Sequence, residues 1–298
     1  MMATCYGRWL SPASARVASP LPRTMPFVSP LLTLQVHDAL RVAARAGLAS
    51  VACSLDLQWS TTTVELTAHG WIWQGRQFPW MDNCRDRSIY CWQGGSFEPV
   101  ARFTGSLIKL VPTQWGAPTF EIDGIKMLPT ARISPYADAQ RKVALIQPRG
   151  KVVLDTCGGL GYFAAWCVRN EARQVLSYEK NADVIWLRSL NPWSPAHDAR
   201  LELTGGDIAE HIRTLPARTV DAILHDPPRF SIAGELYAQD FYAEFARVIK
   251  PGGRLFHYTG APNRLSRGRD LPAEVAKRLR NAGFATQPVL DGVLALKS

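Results

Sequence analysis

Residues 151–166, KVVLDTCGGLGYFAAW, constrain this chain more than any other stretch, because an apolar run meets an acid and passes at once into glycines. Val152, Val153 and Leu154 predict a buried parallel strand, while Gly158, Gly159 and Gly161 let backbone approach a ligand where a side chain would collide. Residues 163–168 are helix-compatible and follow directly. A helix starting there aims its free N–H groups and the positive end of its dipole at whatever the turn holds. Strand, glycines and helix must therefore be contiguous, as in a turn that binds a nucleotide cofactor.

Two cofactor patterns fit the turn. Gly159, Gly161 and Ala164 satisfy the dinucleotide spacing G-x-G-x-x-G/A. Asp155 separates the two, since it ends the strand four and six residues before Gly159 and Gly161. A carboxylate there suits a cofactor with an ammonium and a sulfonium and repels a pyrophosphate. The turn resembles motif I of class I S-adenosylmethionine (SAM) methyltransferases, hydrophobic-Asp/Glu-x-Gly-x-Gly-x-Gly, with Cys157 in place of the first glycine. It is expected to be slightly wider there, with cofactor binding retained.

After residue 150, strands are predicted near 151–155, 174–179, 201–204, 220–225 and 253–258, with a terminal antiparallel pair near 284–296 turning at Asp291-Gly292. Strand and helix alternate, which implies a parallel sheet with crossover helices. The expected fold class is α/β: a seven-stranded, mostly parallel, Rossmann-like methyltransferase sheet with a terminal antiparallel hairpin, plus a small N-terminal β-rich (α+β) module. That module spans residues 25–130, with helical periodicity over 31–46 and then the short β-like runs VACSLDL, TTTVELTAHGWIW, SIYCW, LIKLV and FEIDGIKM. Ala68-His69-Gly70 suggests a hairpin. Its six tryptophans, Trp59, Trp71, Trp73, Trp80, Trp92 and Trp115, could stack bases but fit core packing better. A helix begins after Pro135, and residues 131–298 form the methyltransferase domain. Residues 1–24 contain no acid and cannot build a core, so they read as a disordered or over-extended start.

Carboxylates at successive strand tips are the expected cofactor ligands, because open α/β sheets bind at the carboxyl ends of their strands. Asp155 ends the first strand, Glu179 the second, placed for ribose hydroxyls, and Asp207 follows the third, placed for an adenine amine. Each alone also reads as a helix cap or solvated acid. The resemblance implies a SAM site of Asp155, Cys157, Gly159, Gly161, Tyr162, Glu179, Lys180, Asp207 and Ile208. On the fourth strand, AILHDPPRFS places Asp226, Pro227 and Pro228 after an apolar run. This resembles motif IV, the Asp/Asn-Pro-Pro signature of methyltransferases that modify amines, chiefly on nucleic-acid bases. In-line attack needs the amine lone pair aimed at carbon, so its protons must be held by Asp226 and the Pro227 carbonyl. Arg229 stands where that family usually carries an aromatic, and Phe230 comes next. Asp226, Pro227, Pro228 and Arg229 are the expected catalytic group. No cysteine follows Cys167, which disfavours pyrimidine carbon-5 chemistry.

The phrases LDTCGGLGY, HDPPRFSIAGELY and GGRLFHYTG together resemble a group of predicted methyltransferases best known from archaea, over about residues 119–298. Net charge is +9 with arginine dominant, which favours a polyanionic partner. The expected activity is therefore methyl transfer from SAM to an amine nitrogen, with RNA as the substrate class. The rivals are an aminopropyltransferase of the spermidine-synthase type and a non-catalytic nucleic-acid-binding scaffold. His225, His257 and the loop carrying Arg264, Arg267 and Arg269 are placed near the site by strand order alone. No apolar run approaches the ~18 residues of a membrane span, and six cysteines without a C-x-x-C pair suggest reduced thiols, no metal and a cytoplasmic location. Cys157→Gly is expected to keep SAM binding in calorimetry, and a large loss would reveal a role for the thiol.

Overall fold

Val152, Val153 and Leu154 are all buried, but they divide between two cores, as a strand covered on both faces requires. Val153 packs with Val175, Ala222, Leu224 and Phe256 on one face, and Val152 and Leu154 pack with Val220, Ile223 and Leu255 on the other. The computed structural model describes residues 29–260 and 270–298. The expectations for residues 1–24 and for Arg264, Arg267 and Arg269 lie outside the described residues.

β1 (Val152–Asp155), β2 (Gln174–Glu179), β3 (Leu201–Gly205), β4 (Val220–His225), β5 (Ile249–Tyr258), β6 (Phe284–Val289) and β7 (Gly292–Lys297) make one sheet in the order β3-β2-β1-β4-β5-β7-β6. The pairings among β3, β2, β1, β4 and β5 are parallel, whereas β7 pairs antiparallel with both β5 and β6. The sheet is thus mixed rather than mostly parallel. A tight turn can deliver only an antiparallel neighbour, and parallel neighbours need a long crossover. β5 also starts earlier than the expected residue 253, because a register shift between Val220 and Ala222 lets Ile249 pair before the Pro251-Gly252-Gly253 segment.

Helix α1 (Leu34–Arg45) is shorter than the periodicity over 31–46 implies. Thr33 caps it, which frees Leu31 and Leu32 to pair with Cys91 and Tyr90 as a short strand. The hairpin at Ala68-His69 forms, with Thr67 opposite Gly70. Further short strands complete two four-stranded sheets and one three-stranded sheet among residues 31–126. Trp71 is fully buried and stacks on Phe78 with ring centroids 4.5 Å apart, and Trp73, Trp80 and Trp92 pack around them. These tryptophans are therefore core residues.

Helix α2 (Pro135–Ile146) starts with proline at its first position and Ser134 as cap, and α3 (Tyr162–Arg169) exceeds the expected helix by one residue at each end. Both lie on the face of the sheet that the N-terminal strands also cover, so one apolar core runs from Leu31 through Phe120 to Phe256. Polar contacts fasten it. Tyr162 Oη donates to the Pro118 carbonyl at 2.7 Å, and Arg102 lies 3.8 Å over the Trp186 ring of helix α4 (Ala182–Leu190). Trp193 is the main latch: its Nε1 donates to the Leu57 carbonyl at 2.9 Å, and its ring meets Trp59 and Tyr136 at 5.0 and 5.2 Å. No helix among the described residues is long and apolar enough to cross a membrane. Trp193→Ala is expected to destabilise the protein by about 3 kcal/mol, the low end for a large aromatic because Trp193 is only partly buried. Denaturant unfolding monitored by fluorescence checks this value.

Candidate active site

The glycine turn is held from behind by a buried polar chain. Asp155 is fully buried, and its Oδ2 accepts a hydrogen bond from Ser177 Oγ at 2.9 Å. Ser177 Oγ in turn accepts from Nη1 of the buried Arg188 at 3.2 Å. A Cβ on Gly158 would lie 2.6 Å from Ser177 Oγ, and one on Gly161 would lie 2.6 Å from the Arg188 guanidinium. Gly161 also has φ +79°, a left-handed conformation that side chains disfavour. Burial pushes the Asp155 carboxyl up to about 6, while the charge of Arg188 and the Ser177 hydrogen bond pull it down.

The front of the turn faces a cavity of about 480 Å³. The Gly159 N–H donates to Glu179 Oε2, and the Asn181 N–H donates to Glu179 Oε1, both at 2.9 Å. Each oxygen keeps a lone pair for a further donor. Cys157, Gly159, Tyr162 and Glu179 line this cavity, as do Asp226, Pro227, Pro228 and Arg229. Burial raises the Cys157 thiol well above its usual range, so it stays protonated.

The remaining expected cofactor residues sit elsewhere. Asp155 and Gly161 lie behind the turn rather than on the cavity wall. Asp207 caps the short helix Ile208–His211 by accepting the Ala209 N–H at 2.9 Å, and its other oxygen takes Lys180 Nζ at 3.2 Å. Ile208 is buried in the core. Lys180, Asp207 and Ile208 are thus brought together at the edge of β2 and β3, outside the cavity lining.

Asp138, Tyr258 and Asp291, which no motif announced, also line the cavity, and Lys142 is buried behind them. Asp138 and Lys142 come from α2, Tyr258 from the end of β5 and Asp291 from the β6–β7 turn. Lys142 is 1% exposed, with Nζ 2.6 Å from Asp138 Oδ2, 4.0 Å from Asp291 Oδ2 and 3.8 Å from the centre of the Tyr258 ring. Burial pushes the Asp226 carboxyl up to about 7, with Lys142 opposing and Asp138 and Asp291 adding to the rise. Burial also opposes the charge on Lys142, but Asp226, Asp138 and Asp291 outweigh it and hold the ammonium above its ordinary range. The i, i+4 spacing of Asp138 and Lys142 was the available sequence signal. Asp291 read only as a turn residue.

His225 and His257 are fully buried behind this end, with their rings 4.5 Å apart. His225 Nδ1 meets Thr156 Oγ1 at 2.7 Å, and His257 Nε2 meets Tyr242 Oη at 2.9 Å. Burial lowers both, His257 to about 4, so both stay neutral at pH 7. Neither lines the cavity. Phe230 packs against Tyr237, and Arg229 is exposed at the mouth. No group of His, Cys, Asp or Glu among the described residues is arranged to hold a metal ion.

A glycine turn beside the Glu179 carboxylate, opening into a largely apolar cavity with further carboxylates on its wall, fits a nucleoside that carries a cationic tail. Residues 180–267 match the sequence model of a family described as S-adenosyl-L-methionine-dependent methyltransferase. Over 156 residues, 47% of this chain and 54% of the relative, the chain is 31% identical to a probable S-adenosylmethionine-dependent methyltransferase of Mycolicibacterium smegmatis. The backbone is similar to spermidine synthase solved in complex with the transition-state analogue AdoDATO (TM-score 0.54, 17% identity, 66% of this chain and 73% of that one). The backbone likeness gives the fold alone, and the family match and the Mycolicibacterium relative make the chain a SAM-dependent methyltransferase with SAM as its cofactor. It belongs to the same family as the uncharacterized protein MJ1233 of Methanocaldococcus jannaschii, to which it is 41% identical over 214 residues, 70% of this chain and 73% of the relative.

The site's titrations give a signed prediction. A carboxyl raised to about 7 contributes stability below its unfolded value near 3.8 and loses it as pH rises through 7. Asp226→Asn is therefore expected to stabilise the protein at pH 8, by on the order of 1–3 kcal/mol, and to do little at pH 4. His257 acts oppositely, withdrawing stability as pH falls from 6.5 towards 4, and is common to both proteins. Denaturant titrations of wild type and variant at the two pH values isolate Asp226.

Proposed function

We propose that this enzyme transfers the methyl group of SAM to an amine nitrogen. The observation that carries this reading is Asp226, a carboxylate on the cavity wall that titrates near neutrality beside Pro227 and Pro228. Bound SAM supplies an electrophilic methyl on a sulfonium. The chain's own task is to present a neutral amine and to take its proton. The two prolines fix their φ angles and remove two N–H donors, which leaves the Asp226 carboxylate and the Pro227 carbonyl as acceptors for the amine hydrogens. A carboxyl near pH 7 can accept a proton and release it again under ordinary conditions. Tyr162, Glu179, Cys157 and Gly159 are the residues we assign to the cofactor, with Asp155 and Gly161 shaping the turn; Lys180, Asp207 and Ile208 form the adenine side of the same assignment.

RNA as the acceptor is supported by the +9 net charge and by Arg229 at the mouth. The tryptophans do not add to it, since most of them are packed in the core. A second reading, aminopropyl transfer, draws support from the carboxylate-rich wall and from the fold shared with spermidine synthase. The division into residues 25–130 and 131–298 gives the first part the role of walling the acceptor, and the free thiols among the described residues support a reducing, cytoplasmic setting. Asp226→Asn is expected to lower transfer of labelled methyl to amines by about 10²-fold or more, with SAM binding retained in calorimetry. Mass spectrometry of products formed with SAM and, separately, decarboxylated SAM decides between the readings. Methyl transfer only to carbon or oxygen acceptors, or product only from the decarboxylated cofactor, would overturn the proposal.

A further inference from the structure

Four aromatic rings line the cavity, and three of them belong to the core. Phe120, Tyr162 and Phe163 are buried there, and the Tyr162 hydroxyl is tied to the Pro118 carbonyl. Tyr258, at the end of β5, is half-buried, and among the described residues its ring has no aromatic neighbour and its hydroxyl no hydrogen bond. One face of this ring is taken, because Nζ of the buried Lys142 lies 3.8 Å from its centre. Lys142 does not line the cavity, so the surface that Tyr258 gives to the cavity lies away from that ammonium. The ring is also pinned at its edge. Tyr258 pairs with Gly292 of β7, and the chain then bends at Gly260, whose N–H donates to the Asp291 carbonyl at 3.0 Å. A Cβ on Gly260 would stand 3.1 Å from Tyr258 Oη. Burial, and then the charge of Asp226, push the Tyr258 hydroxyl up, as a ring beside the Asp-Pro-Pro loop requires. Neither residue after the prolines offers such a surface, since Arg229 is exposed at the mouth and Phe230 packs against Tyr237.

We propose that Tyr258 is the stacking platform of this site, and that the acceptor is a planar heteroaromatic ring laid on its cavity face with an exocyclic amine at Asp226. This inference rests on the amine-transfer reading above and narrows its acceptor. The Lys142 ammonium draws the π density of Tyr258 towards the back of the ring, which leaves the cavity face less negative and better suited to an electron-rich aminoheterocycle. A ring already held in place loses little freedom when a ligand stacks on it. Stacking also orients the nitrogen. The hydrogens of such an amine lie in the ring plane, where the Asp226 carboxylate and the Pro227 carbonyl can accept them, and its lone pair stands perpendicular to that plane. With one face against Tyr258, a methyl group can arrive only from the other. The nitrogen then takes the methyl carbon as the bond from that carbon to sulfur breaks, and one amine proton passes to Asp226. A saturated amine gains nothing from this platform.

Calorimetry on the full chain saturated with S-adenosylhomocysteine tests this, with 9-methyladenine, benzylamine, cyclohexylmethylamine and a short single-stranded RNA as probes. Benzylamine and cyclohexylmethylamine carry the same charge and differ in the planarity of the ring. Tyr258→Leu is expected to weaken 9-methyladenine and benzylamine about 10–100-fold and cyclohexylmethylamine less than about threefold. Tyr258→Phe restores the ring without its hydroxyl and is expected to recover most of the affinity that Tyr258→Leu loses. Equal weakening of the planar and saturated probes by Tyr258→Leu would overturn the inference, as would a Tyr258→Phe protein that binds no better than Tyr258→Leu. Wild-type protein that binds no planar probe overturns it without any variant. Competition between the RNA and 9-methyladenine upholds the platform and assigns its ring to a polynucleotide, whereas 9-methyladenine binding without competition upholds it for a free heteroaromatic amine. With SAM in place of S-adenosylhomocysteine, planar probes that depend on Tyr258 but are methylated only on carbon or oxygen uphold the platform and overturn amine transfer. Failure of the cofactor itself to bind overturns the parent reading.

Discussion

A buried guanidinium behind the glycine turn is the contact on which the cofactor side of this enzyme depends. Arg188 reaches back from α4 to Ser177, which also holds Asp155, so strand end, turn and helix are tied in one place. Gly158 and Gly161 are bare partly because Ser177 and Arg188 occupy the space where their side chains would stand. The glycines thus serve the interior as well as the ligand. Desolvation works against the charges of both Arg188 and Asp155, and each is the other's main electrostatic relief. Asp155 consequently acts as an anchor for the turn, and Glu179, which accepts from Gly159, is the acid of this pair that faces the cavity.

The Asp-Pro-Pro end of the cavity is built on the opposite imbalance. The chain carries net charge +9, but the Asp226 end of the cavity gathers three carboxylates on one lysine. His225 stands next to Asp226 in sequence and would hold its pKa down if protonated. Burial and the neighbouring His257 keep His225 neutral, which leaves Lys142 as the cation acting on Asp226. The histidine pair therefore matters by lacking charge. A carboxyl poised near 7 needs that silence as much as it needs its own burial.

The sheet and the two motif loops were legible because they obey local rules: apolar runs of strand length, glycines where backbone must pass closely, prolines where donors must be absent. The antiparallel end of the sheet was visible as a turn at Asp291-Gly292, yet the mixed pairing follows from where β7 inserts, which no local pattern specifies. Asp138, Lys142 and Asp291 were illegible for the same reason. Each has an ordinary local role, a helix face or a hairpin turn, and becomes a site residue only when α2 and the β6–β7 turn close on the end of β4. Asp207, which the strand-tip rule selected, also caps the short helix Ile208–His211.

Much of the apolar wall of the cavity comes from the N-terminal part of the chain. Phe120, Ile125, Met127 and Leu128 belong to the hairpin and connection that precede α2, and Phe120 lies both in the shared core and on the cavity. That hairpin is braced from below, since Glu121 is buried against Arg87 and Lys109, and Asp123 accepts the Leu107 N–H at 2.8 Å. A wall fixed in this way bounds the cavity on its apolar side. The cofactor turn and the Asp-Pro-Pro loop thus share one cavity with a segment that carries no motif of either.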